Sequence, residues 1–122
     1  MAYVLTRGRT FTTDVVVKRP MDDNKIKREV MRVTFEIGQR SAFDDTLARE
    51  RELKSQGEGA NGRAMWIDQV VKEVSSLIDK DDQPVAWSDE VKADLLDDQL
   101  AVDACFNHYW ECINNGKAKV GN

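Results

Sequence analysis

Residues 67–78 read IDQVVKEVSSLI. Ile67, Val70, Val71, Val74, Leu77 and Ile78 recur at the i, i+3, i+4, i+7 spacing of one apolar helical stripe, with Asp68, Lys72, Glu73 and Ser75 on the other side. The spacing predicts a helix with one buried face. Five of the stripe's residues are β-branched, so tertiary packing rather than helix propensity has to hold it.

Working toward the N-terminus, residues 55–62, SQGEGANG, carry three glycines and predict a mobile loop. Before it, a helix is expected from an N-cap at Ser41 to about Lys54. Its apolar content is thin, Phe43, Leu47 and Leu53, and the tract Arg49–Glu52 is wholly charged. Earlier still the period becomes two. Phe11, Thr13, Val15 and Val17 share one face; Met31, Val33, Phe35 and Ile37 share another; the segment PMDDN between them is turn-like. Residues 11–37 therefore predict a β-hairpin with one apolar face. A lone hairpin is barely stable, so helices or another subunit must cover it. Residues 1–10 show no period and read as a flexible arm.

Toward the C-terminus, Pro84 forbids a continuing helix. Ser88 is the expected N-cap of a short helix with Val91, Leu95 and Leu96 inward. A last helix is expected from about Leu100 to Asn114, with Val102, Cys105, Phe106, Tyr109, Cys112 and Ile113 inside. Asn114, Asn115 and Gly116 are its expected stop, and residues 115–122 a loose tail. The order predicts a single α+β domain over residues 1–122: an N-terminal β-hairpin followed by a small bundle of three to four α-helices, the helical part spanning residues 41–114.

Charge and composition restrict the function. Residues 1–40 hold nine Lys or Arg against five Asp or Glu; residues 41–122 hold nine against seventeen. An acidic helical region repels phosphates and argues against nucleic acid as a partner. No stretch approaches the roughly 20 apolar residues of a membrane span, and MAYVLTRGRTFTTD lacks the apolar core of an export signal. Cys105 and Cys112 would lie about 10 Å apart on one helix, too far for a disulfide, so reduced thiols in a cytoplasm are expected.

Residues 79–90, DKDDQPVAWSDE, place Asp79, Asp81, Gln83 and Glu90 at the first, third, fifth and twelfth positions of a calcium loop. Pro84 stands where that loop needs the positive φ of glycine, and Trp87 brings no oxygen ligand. The same residues read better as a polar turn followed by a helix cap. Cys105, His108 and Cys112 share a helix side but find no fourth ligand, so core packing is the expectation and no metal. GEGANG lacks the lysine of a phosphate loop, and no nucleophile–base pair can be assembled around the single histidine. No enzyme and no cofactor is expected. The aromatics are more informative. Trp66 adjoins the stripe, Trp87 reads as core or lid, and Tyr109 and Trp110 lie about 100° apart, so that one of the pair faces outward.

The apolar run Val70–Ile78, then Asp79, Asp81, Pro84, Val85, Trp87, Ser88 and Glu90, then Leu95, Leu96 and Ala104–Tyr109, form a pattern that resembles the tail assembly chaperones of long-tailed bacteriophages. The resemblance covers roughly residues 11–119, its specific part about residues 64–116. It implies a protein without chemistry of its own. Such a protein coats the helical, aggregation-prone tape-measure protein in the host cytoplasm, helps recruit tail tube protein through a frameshift-extended form, and is absent from the mature virion. On this reading a shallow apolar groove takes an amphipathic helix, with Trp66, Tyr109, Trp110, Phe43 and Leu47 as the partner-binding residues. The hairpin edge would pair with another copy, giving a homo-oligomeric coil or ring. A second reading is a structural tail or head–tail component retained in the virion. A third, a small DNA-binding regulator, is disfavoured by the acidic helical region and the lack of an Arg- or Lys-rich recognition helix.

Overall fold

The computed structural model describes residues 1–120 other than Val4 and Thr6, with the side chains of residues 115–120 outside the description. Strand β1, Thr10–Pro20, pairs antiparallel with β2, Ile26–Glu36, in a register running from Thr10↔Glu36 to Pro20↔Ile26. A short 3-10 turn, Asp22–Asn24, joins them. Asp23 and Asn24 both take φ near 60°, which aspartate and asparagine tolerate better than most residues. The strict alternation of apolar residues has its expected consequence: Val15, Val17, Met31, Val33 and Phe35 are buried on one face. Ile37, expected with them, lies just past β2 and stays exposed.

Helix α1, Arg40–Ser55, follows at once. Its N-cap is Gln39 without a side-chain cap bond, not Ser41, which lies inside the first turn. Helix α2 is Gly62–Val70, capped by Asn61, whose side-chain oxygen accepts the Ala64 N–H at 3.2 Å. The chain then passes without a loop into a third strand, β3, Val71–Ser75. The single helix expected over residues 67–78 is thus divided. β3 lies antiparallel beside β2, giving the sheet order β1-β2-β3.

The division has a local cause. Val33 pairs with Val74 and Phe35 with Val71, with a bulge between Thr34 and Phe35. In a regular strand, residues three apart face opposite sides. The extra residue of a bulge returns them to one side, so Val71 and Val74 are both buried. A spacing of three can therefore serve a bulged strand as well as a helix. β-branched Val71 and Val74 suit a pleated surface, and the β2 edge at Arg32–Phe35 gains a partner.

After β3, Ile78 and Pro84 form an isolated bridge that closes the 79–83 turn. Ser88 caps α3, Asp89–Leu96, accepting the Val91 N–H at 3.2 Å as its sequence predicts. The last helix, α4, is Gln99–Val120. It runs through the stop expected at Asn114–Gly116, and the loose tail expected at 115–122 falls largely outside the described residues. Helix α4 lies across the inner face of β1 and against α2, while α1 packs on α2 and α3 on both α2 and α4. Phe35, Ile67, Val102 and Cys105 are fully buried where these layers meet. Buried Thr46 donates to the Ala42 carbonyl at 2.9 Å and accepts from Gln69 at 2.6 Å, fixing α1 to α2. Ile113, expected inside, is exposed. No helix among the described residues is long and apolar enough to cross a membrane.

One polar latch ties the hairpin to the helices. Arg19 pairs with Glu29 on the neighbouring strand and with Asp98 at 2.5 Å, just before α4. Asp98 also accepts the Ala101 N–H at 3.4 Å, capping α4. The Arg19 hydrogen bond holds the Asp98 carboxyl below the usual carboxylate range, despite partial burial. A depressed folded-state pKa adds stability above the unfolded value of about 4, and that stability is lost as pH falls through the folded value. Asp98→Asn is accordingly expected to lower the melting temperature near pH 7 and to have a much smaller effect near pH 2, read by thermal unfolding at both. Phe35→Ala is expected to cost about 3–5 kcal/mol in denaturant unfolding.

Candidate functional site

Five aromatic side chains from three helices meet on one side of the molecule: Phe43 of α1, Trp66 of α2, and Phe106, Tyr109 and Trp110 of α4. Trp66 stacks on Trp110 with centroids 6.1 Å apart and planes 13° apart. Phe43 meets Trp66 edge-on at 5.1 Å and Trp110 at 4.9 Å, and Tyr109 meets Trp110 at 5.0 Å. These are the offset and edge-to-face geometries aromatic quadrupoles favour. On the sheet side, Tyr109 continues the cluster into Phe35 at 5.5 Å.

The depth of each ring separates their roles. Trp66 and Tyr109 are each 1% exposed and form the interior of the cluster. Phe43, Phe106 and Trp110 are only half-buried and give it a surface, with Leu47 one helical turn beyond Phe43. The structure thus brings four of the five expected partner-binding residues into ring contact and places Leu47 beside them. Trp66 and Tyr109 support the surface from beneath. Phe106 belongs to it as well; its position four residues before Trp110 is the sequence signal that marks it.

Trp66 is accommodated by Gly38. A Cβ on Gly38 would stand 2.4 Å from Trp66 Cη2 and 2.8 Å from Cζ2. The Gly38 N–H donates to the Tyr109 hydroxyl at 3.0 Å, so both interior aromatics lean on one residue at the end of β2. Burial raises the Tyr109 phenol above its ordinary pKa. The Trp66 Nε1–H is buried with no hydrogen-bond partner among the described residues. That omission costs about 1–3 kcal/mol. Burying an indole of about 150–250 Å² at about 25 cal/mol per Å² returns roughly 4–6 kcal/mol, so the ring stays inside.

Between α1 and the start of α4 runs a cleft of about 620 Å³, lined by Phe43, Leu47, Glu50, Arg63, Asp103 and Phe106 among others. Arg63 lies over the Phe106 ring at 5.0 Å and pairs with Asp103 at 3.3 Å. Glu50 accepts the Gly62 N–H at 2.7 Å and pairs with Lys54 at 3.3 Å, and the Gly62 bond holds its carboxyl below the usual range. The cleft is mixed in character: Phe43, Leu47 and Phe106 give it an apolar wall, and its charged residues are paired with one another as Glu50–Lys54 and Arg63–Asp103. A second cavity, about 660 Å³, lies where the N-terminal arm passes Ile37, Ala42, Trp66 and Val70.

The remaining chemical candidates are engaged in structure. The Asp79 carboxylate accepts the N–H groups of Asp81 and Gln83 at 2.8 and 3.0 Å. Burial pushes the Cys105 thiol up to about 12, away from a reactive thiolate. Cys105 and Cys112 are both free, and His108 Nε2 shares a hydrogen bond with Thr13 Oγ1 at 2.9 Å. Trp87 is half-buried against the core. Among the described residues no group of three or more His, Cys, Asp or Glu is placed to hold a metal ion.

No protein-family model matches the chain, and no curated protein or solved structure matches it.

Gly38→Ala is expected to push Trp66 out of its seat and destabilise the fold by about 1–3 kcal/mol. Tryptophan fluorescence and denaturant unfolding check it; an unchanged emission maximum with unchanged stability would show that Gly38 does not seat the indole.

Proposed function

We propose that this protein is a bacteriophage tail assembly chaperone. It binds amphipathic helical segments of the tape-measure protein, keeps them soluble, and helps recruit tail tube protein during tail morphogenesis. The observation that carries this reading is the cleft between α1 and α4 lined by Phe43, Leu47 and Phe106, with half-buried Trp110 packed against both of those phenylalanines. A helix laid in such a groove buries apolar residues at i, i+3, i+4 and i+7 while main-chain polar groups stay satisfied within the helix. Trp110 is the natural anchor, because partly exposed tryptophans concentrate binding energy when fully covered. The resemblance of residues 64–116 to tail assembly chaperones supports the same reading. So does the acidic balance of residues 41–122, which keeps a crowded complex soluble. On this proposal the protein acts in the host cytoplasm, performs no catalysis, and leaves before the virion matures.

The test is co-expression with fragments of the tape-measure protein encoded nearby. An otherwise insoluble fragment is expected to become soluble and co-purify. Trp110→Ala together with Phe106→Ala is expected to weaken that complex at least tenfold while circular dichroism of the free protein stays unchanged. Fragments that remain insoluble and unbound would refute the proposal and favour a structural tail component, to be sought in purified particles.

A further inference from the structure

In the sheet order β1-β2-β3, β1 is a terminal strand of eleven residues, Thr10–Pro20, and among the described residues no strand pairs with its outer side. Two bonds beyond the strand ends fix which of its backbone groups face that side. Ile37 N–H donates to the Arg9 carbonyl at 2.8 Å, and Met21 N–H donates to the Lys25 carbonyl at 2.8 Å. Both belong to the register that pairs β1 with β2, so the odd-numbered residues of β1 exchange bonds with β2. Thr12, Asp14, Val16 and Lys18 therefore turn their N–H and C=O groups to the open edge. Pro20 is in phase with them, so the N–H it lacks belongs to the open side, where proline is tolerated.

The side chains of the same residues stand on the exposed face, and one of their pairings is unfavourable. Lys18 lies directly opposite Arg28. Like charges in that position destabilise a sheet. Neither has an ion-pair partner among the described residues, whereas Arg19, Lys27 and Arg32 are all ion-paired. Next to them Val16 and Val30 face each other, 43% and 54% exposed.

We propose that β1 pairs antiparallel with β1 of a second copy about a two-fold axis at Val16. Val16 then exchanges both backbone bonds with the partner's Val16. On either side Asp14 lies opposite the partner's Lys18, and Lys18 opposite the partner's Asp14. Shifting the two strands to centre on Asp14 or on Lys18 instead opposes like charges, and centring on a neighbouring odd residue leaves both charges opposite neutral side chains. Only the Val16-centred register relieves Lys18. Asp14, which already holds Arg32 at 3.1 Å, is then shared between that arginine and the partner's Lys18. Thr12 meets the partner's Pro20, which has no N–H to give, and the pairing ends there. The result is a continuous six-stranded sheet. Because the contact is isologous it closes at two copies, unlike the open coil expected of head-to-tail edge pairing. The inference does not depend on the chaperone reading.

The test is sedimentation of the full chain with a charge exchange. The wild-type protein is expected to sediment as a dimer. Asp14→Lys alone and Lys18→Asp alone are each expected to weaken association at least tenfold, and the double exchange to restore it. In a Cys112→Ser background, Val16→Cys is expected to form an intermolecular disulfide on mild oxidation, since a hydrogen-bonded antiparallel pair sets its Cα atoms about 5.5 Å apart. Circular dichroism of each single variant is expected to match the wild type, which separates lost association from lost folding. A monomeric wild-type protein, single variants that associate as well as the wild type, a double variant that stays monomeric, or no Val16→Cys cross-link would each overturn the proposal.

Discussion

The change of backbone conformation between Val70 and Val71 is the constraint on which the rest of the molecule depends. Up to Val70 the chain is helical and carries Trp66 and Ile67 into the core; from Val71 it is extended and completes the sheet. Had the helix continued to Ile78, β2 would keep a bare edge over Arg32–Phe35. Val71 and Val74 would also leave the pleated surface on which Val33 and Phe35 now meet them. The junction holds because both halves are satisfied at once. The Asn61 cap and the Thr46–Gln69 bond fix α2 in place. The bulged ladder fixes β3, helped by the Lys72–Glu36 ion pair at 2.8 Å.

From that junction the candidate site follows. Because α2 runs straight into the sheet, its position over the end of β2 is set, and Trp66 falls against Gly38. The indole then gives Phe43, Tyr109 and Trp110 a common surface to pack on, which brings α1 and α4 to either side of α2. The cleft between those two helices is the gap that α2 is too short to fill at its N-terminal end, where Gly62 and Arg63 form part of the wall. Core and surface are thus one continuous aromatic cluster, and changes to its buried members should be felt at its exposed ones.

The sequence states some of this plainly and hides the rest. Alternation from Phe11 to Val17 and from Met31 to Phe35 is enough to place the hairpin and its buried face, because period two has one structural meaning over that length. Ser88 announces α3, since its hydroxyl has an N–H to accept one turn on. The stripe from Ile67 to Ile78 is ambiguous in itself. A spacing of three fits a helix or a bulged strand, and the bulge depends on β2, which lies far away in sequence. Depth is equally illegible. Trp66 and Trp110 look alike in a one-dimensional pattern, and only the missing side chain of Gly38 makes room for one of them inside. Ser41 has the chemistry of an N-cap, but the chain leaves β2 so abruptly that the helix begins before it.

The central claim is best tested by backbone chemical shifts and cross-strand nuclear Overhauser effects over residues 62–78. The account predicts helical shifts ending at Val70, extended shifts from Val71 to Ser75, and contacts between Val33 and Val74. Helical shifts continuing to Ile78, with no contact to Arg32–Phe35, would contradict it.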